Sequence, residues 1–182
     1  MEKVCIHLAN GFEEIEALAV VDILRRAEIA TEIVSITGQK EVTGAHDITV
    51  IADSLFEEVN YEEVKMILLP GGMPGSRNLD QHQGLRNQIK NFHTNGKPLG
   101  AICAAPLVLG SAGVLKGKAA TCYPGFEKEL PGAKVSGQPI IRDGNIITGK
   151  GAGYAMHFAL EIVKILKDNA TAEHIKNAMF ID

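Results

Sequence analysis

The sequence predicts an α/β fold with a mostly parallel central sheet covered by helices on both faces. Three observations carry this reading. Short apolar, β-branched runs alternate along the chain with segments of helical periodicity. Runs such as Lys65 to Leu69 (KMILL) are apolar almost throughout, as expected of strands buried on both sides. Turn signals such as Asn10-Gly11 and Pro70-Gly71-Gly72 close these runs.

Taken in order, Lys3 to Ala9 reads as the first strand and stops at Asn10-Gly11. From Glu13 to Ala27, the residues Ala17, Val20, Val21, Leu24 and Ala27 recur at helical spacing between Asp22, Arg25 and Arg26, which makes an amphipathic helix. Thr31 to Ile36 and Ile48 to Ala52 read as strands, the second after a break at Thr43-Gly44. Lys65 to Leu69 is a buried strand. A helical stretch spans about Asp80 to Thr94, a strand follows from Pro98 to Cys103, and Pro106 opens the next helix. Lys118 to Cys122 reads as a strand. Gln138 to Gly149 reads as a hairpin turning at Asp143-Gly144. Met156 to Lys167 and Thr171 to Met179 are the closing helices.

With 182 residues, 46% hydrophobic and 22% charged, the chain has the size of one domain over residues 1–182, and no repeat or low-complexity linker interrupts it. That length buries roughly 70% of the unfolded surface, enough for a core without disulfides or a structural metal. Eighteen Lys and Arg stand against 22 Asp and Glu, a net charge of −4 with no long block of either sign, which argues against a nucleic-acid partner. Cys5, Cys103 and Cys122 are odd in number, widely spaced and outside any C-x-x-C pair. This suits a reducing, cytoplasmic compartment and excludes a thiolate zinc site. Pro98 to Leu115 is uncharged and about as long as a minimal membrane span, but Pro98, Gly100, Pro106, Gly110 and Gly113 punctuate it, so no membrane association is expected. The amino-terminal apolar run is too short for a signal-peptide core.

In open parallel sheets ligands bind beyond the carboxyl ends of the strands. Chemistry is therefore expected in the loops after Ala9, Leu69 and Ile102. Cys103 sits where a buried strand gives way to the helix opened by Pro106, flanked by the small residues Gly100, Ala101, Ala104 and Ala105, as a nucleophile elbow requires. A helix N-terminus aimed at the sulfur should lower its pKa. The pattern suits an inert cysteine at a strand end equally well. Gly71 and Gly72 belong to a glycine-rich loop whose amides can approach an anion or oxyanion. Glu13, Glu14 and Glu16 cluster after the first strand; Glu16 continues the apolar stripe, so burial should raise its pKa, but Glu13 has nearly the same phase and spacing does not choose between them. None of the six histidines is adjacent to Cys103, and no Cys-His-Asp triad can be derived.

At these residues the chain resembles the ThiJ/PfpI superfamily, specifically the branch containing Parkinson disease protein 7 (protein deglycase). The stretches that carry the resemblance are Gly11 to Glu16, Asp22 to Ala27, Leu69 to Gly75, Ala101 to Pro106 and Thr148 to Gly153. It implies a flavodoxin-like three-layer sandwich of the class I glutamine amidotransferase-like kind, a homodimer, no cofactor and no metal. It also implies a reactive cysteine at Cys103, Glu16 as its acid partner, the amides of Gly72 and Ala104 around the sulfur's oxygen-bearing forms, and Arg26 near the site. Tyr123 stands where many of these proteins carry a histidine, which removes an obvious general base. His46 stands where the branch often has a second arginine, and Ala104 where the peptidase-like branch has histidine, which disfavours peptidase activity. The resemblance implies a cofactor-independent glyoxalase- or deglycase-type hydro-lyase or hydrolase acting on small reactive carbonyls or glycated proteins. The alternative is a non-catalytic oxidative-stress sensor or redox-regulated chaperone working through Cys103 oxidation.

Overall fold

The structure, a computed structural model, describes residues 3–182. The chain runs β1 (Lys3–Leu8), α1 (Glu14–Arg26), β2 (Thr31–Ser35), β3 (Glu41–Thr43), β4 (Thr49–Ile51) and β5 (Ser54–Leu55). It continues through β6 (Val64–Leu69), α2 (Gly75–Gln81), α3 (Gln83–Thr94), β7 (Leu99–Ile102) and α4 (Pro106–Ser111). It closes with β8 (Ala119–Ala120), β9 (Lys134–Val135), β10 (Ile140–Asp143), β11 (Ile146–Gly149), α5 (Ala155–Leu166) and α6 (Asn169–Ala178).

Seven strands form one sheet in the order β10-β11-β7-β6-β1-β2-β5, parallel except where β10 pairs antiparallel with β11. Strand alternation divides the core into two layers. Val4, Ile6 and Leu8 of β1, with Met66 and Leu68 of β6, pack against α1, α5 and α6. Cys5 and Ala9, with Ile67 and Leu69, face α2, α3 and α4. The result is the expected mostly parallel sheet between two helical layers.

β1 connects through α1 to β2 on one side, whereas β6, its other neighbour, connects through α2 and α3 to β7 on the opposite side. Loops leaving β1 and β6 therefore diverge, and this is where an open parallel sheet forms its crevice. The hairpin turns as its Asp-Gly signal predicts, with Asp143 paired to Ile146 and Gly144 at φ +62°.

Three segments differ from the sequence reading. The strand expected over Ile48 to Ala52 is only Thr49–Ile51, and it pairs with Glu41–Thr43 in a separate hairpin whose one buried side chain is Val42. The helix expected over Asp80 to Thr94 breaks at His82, whose backbone is extended and whose Nδ1 accepts from Leu85 N at 3.0 Å. His82 is thus an N-cap rather than a surface helix residue. The strand near Lys118 to Cys122 shrinks to Ala119–Ala120, which joins Lys134–Val135 outside the central sheet.

Candidate functional site

The carboxyl ends of β1, β6 and β7 bring three loops together. Immediately after β7 the chain turns at Cys103, held at φ +64°, a region an L residue rarely adopts. Its N–H donates to Gly149 O at 2.9 Å and its carbonyl accepts from Tyr123 N at 2.8 Å, so the elbow is clamped between β11 and the turn that carries Tyr123. Ala104 and Ala105, both buried, leave the turn room to form.

Glu16, in the first turn of α1, has no exposed surface. Its Oε2 accepts from Gly71 N at 2.7 Å, while Oε1 has no hydrogen bond to nitrogen or oxygen. Gly71 lies between the acid and the thiol: a Cβ there would fall 2.6 Å from the Cys103 Cβ and 2.6 Å from Glu16 Oε2. A side chain at this position is incompatible with that approach. Gly72 sits at φ +90°, and a Cβ on it would fall 2.4 Å from Glu13 N and 2.5 Å from Gly11 O. The loop after β6 thereby docks on the start of α1, with Glu13 N donating to Gly71 O at 2.9 Å.

Burial pushes the Glu16 carboxyl up to about 7, with Glu13 adding to the rise, against hydrogen bonds from Cys103 and Gly71 that favour ionisation. Burial also pushes the Cys103 thiol up to about 12, reinforced by the Glu16 charge and hydrogen bond and opposed by the amides of Ala104 and Gly72. This runs against the lowering that a helix N-terminus alone would give. α4 begins three residues past the sulfur and is only six residues long, so burial and a neighbouring carboxylate outweigh what it supplies. The value near 12 belongs to a thiol beside an already ionised Glu16. Between about 7 and about 12 the pair therefore holds a single proton, carried by the thiol and donated to the ionised Glu16.

Above the pair opens a pocket of about 280 Å³. Glu13, Glu16 and Cys103 line it with Gly72 and Ala104, and Met73, Tyr123, Phe126 and Ala152 supply its remaining surface. Tyr123 and Phe126 meet edge to face with centroids 6.5 Å apart. Sequence reasoning passed over Met73, Phe126 and Ala152; the glycine-rich loop, the Tyr-Pro-Gly turn and the Thr148 to Gly153 stretch were the available signals. A larger cavity, about 470 Å³, opens beside Lys3 and Lys65 at the amino-terminal ends of β1 and β6 and contains neither a cysteine nor Glu16.

The remaining expected residues are placed unequally. Tyr123 lies at the pocket and is half exposed. Arg26 does not approach it: it pairs with Asp22 on the surface at 2.8 Å, ten residues beyond Glu16, which is about 15 Å along the helix. His46 stands beside the pocket rather than in it, with Nδ1 2.9 Å from Glu14 Oε2 and 3.6 Å from Glu13 Oε2. Burial pushes Glu14 up, but bonds from the His46 ring and backbone prevail and hold it below the usual carboxylate range. Glu14 thus organises the loop: its Oε1 accepts from His46 N at 2.7 Å, and the missing side chain of Gly44 makes room for it. Glu13, Glu14 and His46 bring ligand-type atoms within 4.8 Å of one another, the one such group among the described residues, and the His46 ring is already hydrogen-bonded to Glu14.

A family profile described as "DJ-1/PfpI family" matches residues 2–165. Among curated proteins, the Arabidopsis thaliana Protein DJ-1 homolog B is 34% identical over 98% of the chain, although the chain spans only 41% of that protein's length. A protein named Deglycase from Pyrococcus abyssi is 34% identical over 91% of the chain and 99% of its own length. Among solved structures, a cysteine-to-alanine mutant of a DJ-1 superfamily protein from Salmonella typhimurium superposes with a TM-score of 0.94 at 34% identity, covering 100% of both chains. Oxidized DJ-1 from Toxoplasma gondii superposes with a TM-score of 0.94 at 31% identity, over 99% of this chain and 98% of its own.

Proposed function

Because the chain belongs to the DJ-1/PfpI family, we propose that it is a cofactor-independent thiol enzyme of glyoxalase or deglycase type, acting on 2-oxoaldehydes and their adducts on proteins. The observation that carries the proposal is the convergence of the Cys103 thiol and the buried Glu16 carboxyl across Gly71. A carboxyl that titrates near 7 suits proton transfer at neutral pH. As sulfur bonds to the aldehyde carbon, the thiol proton passes to Glu16, and the carbonyl electron pair moves to oxygen, facing the Gly72 and Ala104 amides. Glu16 gives its proton to that oxygen. It then takes the proton on the same carbon and returns it to the adjacent carbonyl carbon, while the hydroxyl proton on the first carbon passes to the second oxygen, so that the second carbon is reduced to a hydroxyl-bearing carbon as the first is oxidised to a thioester. Water cleaves the thioester, releasing a hydroxy acid and the free thiol. No histidine lies in the pocket, so Glu16 carries the proton transfers.

Methylglyoxal consumption with formation of lactate by the wild type, lost in Cys103→Ser, is the expected result; absence of lactate, or its survival in Cys103→Ser, overturns the proposal. A second reading, oxidation of Cys103 as a stress signal, draws support from the amides that face the sulfur and from the oxidized Toxoplasma relative. It requires a two-oxygen mass gain at Cys103 under mild peroxide. The three free cysteines suit a reducing, cytoplasmic setting. Among the described residues no helix is long and apolar enough to cross a membrane. A second copy of this chain is the proposed cover for Ile15 and Leu18 of α1 and for Ile48 and Ile51 beside them, all exposed, with Glu14 tying the two segments together. Sedimentation as a dimer that Leu18→Glu dissociates is the expected behaviour.

A further inference from the structure

The segment after α4 reaches the candidate site by a route outside the central sheet, where Ala119–Ala120 pairs with Lys134–Val135. Alternate amides of residues 119–123 bond to three adjacent strands in turn. Ala119 N donates to Asp143 Oδ2 of β10 at 2.8 Å, Thr121 N to Thr148 Oγ1 of β11 at 2.9 Å, and Tyr123 N to the Cys103 carbonyl, just past β7, at 2.8 Å. The spacing of two is that of an extended chain. The first two acceptors are side chains, so the segment is strapped across the strands rather than laddered along one of them. At its far end the strap grips a strained residue. Cys103 holds φ +64°, a conformation that an L residue keeps only where its surroundings over-determine it. Its N–H is fixed by Gly149 O and its carbonyl by Tyr123 N, and Thr148, the neighbour of Gly149 in β11, anchors the strap that brings Tyr123 there. The bond from Thr121 N to Thr148 is buried, and a buried amide stripped of its acceptor costs far more than an exposed one.

We propose that Thr148 is a positioning residue for the thiol–acid pair: its hydroxyl oxygen anchors the strap of residues 119–123 and thereby holds the Cys103 elbow in the geometry that keeps the sulfur beside Glu16. Thr148 does not line the pocket and acts only through Thr121, Tyr123 and Cys103. The assignment uses the pair on which the reading above rests, but neither its substrate nor its turnover.

The experiment measures how strongly Glu16 is felt at the sulfur. The pH midpoint of Cys103 alkylation by iodoacetamide, followed by peptide mapping so that Cys5 and Cys122 do not interfere, is compared with and without Glu16→Gln. In the wild type that substitution shifts the midpoint, because the Glu16 charge and hydrogen bond act on the thiol. In Thr148→Val, which keeps the branched shape and removes the acceptor, the shift should fall to about half or less. In Thr148→Ser, which keeps the oxygen, it should be retained. Ile175→Val, which trims a buried side chain of α6, destabilises the protein without removing any bond of the strap and should also leave the shift intact. A measurement on the wild type applies even if Thr148→Val does not fold: amide exchange at Thr121 and Tyr123 should be slowed about a hundredfold or more relative to an unstructured chain, although Tyr123 is half exposed and both lie outside the central sheet. An equal Glu16→Gln shift in wild type and Thr148→Val overturns the assignment. So does its loss in Thr148→Ser or Ile175→Val, a wild type in which Glu16→Gln shifts nothing, or fast exchange of the Thr121 amide. Absence of methylglyoxal turnover with the shifts as described removes the enzyme reading and leaves the assignment standing.

Discussion

Two fully buried groups titrate in opposite senses on folding, and the structure predicts how each sets the pH dependence of stability. Burial pushes His7 down to about 3, with its Nε2 2.8 Å from the Tyr61 hydroxyl, and the charges nearest it are His82 and Glu32. Burial pushes Glu16 up to about 7, with Glu13 and Cys103 its ionisable neighbours. Between about pH 5 and 6 the folded His7 is neutral while an unfolded histidine is mostly protonated. Its contribution is present above 6.5 and is lost as pH falls. Folded Glu16 is protonated in the same window while an unfolded glutamate is mostly ionised, so its contribution is present below 4.5 and is lost as pH rises. Each alone gives a slope of up to about 1.4 kcal/mol per pH unit, and the two slopes have opposite signs. Urea unfolding across this window should therefore show a shallow dependence in the wild type, a slope more positive by about 1 kcal/mol per unit in Glu16→Gln, and one more negative by a similar amount in His7→Phe. Burial also lowers His82, but it acts alike in all three proteins and drops out of the differences. His7→Phe costs stability at every pH because Tyr61 loses its partner, and the slope is unaffected by that offset. An unchanged or more negative slope in Glu16→Gln would show Glu16 already ionised in the folded protein and refute the reasoning.

Glu16→Gln should also lower the pH midpoint of Cys103 alkylation, because the carboxylate charge and hydrogen bond that raise the buried thiol are then gone; an unchanged or higher midpoint would mean that the Glu16 charge does not hold the proton on the sulfur. Gly72→Ala should destabilise the protein by about 2 kcal/mol or more in denaturant titration, because φ +90° strains an alanine and its Cβ would meet the Glu13 and Gly11 backbone; a loss below about 0.5 kcal/mol would show that the loop relaxes freely. Tyr123→Phe should reduce methylglyoxal turnover by less than about tenfold, since it removes at most one hydrogen bond to substrate, and the pH–rate profile should follow the Glu16–Cys103 pair in both proteins; abolition of turnover would make the tyrosine catalytic.

The sheet, its two helical layers and the elbow were legible because they rest on local signals: apolar runs, helical spacing, and small residues around Cys103. What escaped depended on contacts between distant segments. The alternation that suggested a sheet strand at Ile48 to Ala52 is satisfied by a three-residue partner, Glu41–Thr43, and a hairpin of that length leaves no such run of its own. The helix over Asp80 to Thr94 breaks because the His82 ring can replace a backbone acceptor for Leu85, a choice that composition does not reveal.

The choice between Glu13 and Glu16 shows why helical phase alone could not find the acid. Glu13 is the extended N-cap of α1 and obeys no helical phase, whereas Glu16 lies inside the first turn and is carried under the glycine loop. Their difference follows from where Gly71 touches the helix: its carbonyl accepts from Glu13 N and its amide donates to the Glu16 carboxyl. One peptide segment thus fixes Glu13 by its backbone, leaving that side chain to face the pocket, and fixes Glu16 by its carboxylate, turning it toward the sulfur. The same burial that makes this contact possible raises both members of the thiol–acid pair, a contribution that the helix-dipole argument, framed for an exposed cysteine, leaves out. A buried thiol gains its reactivity here from a proton it can hand to a neighbour 87 residues away in the chain, one residue following β7 and the other in the first turn of α1, brought together across the glycine loop that leaves β6 between them.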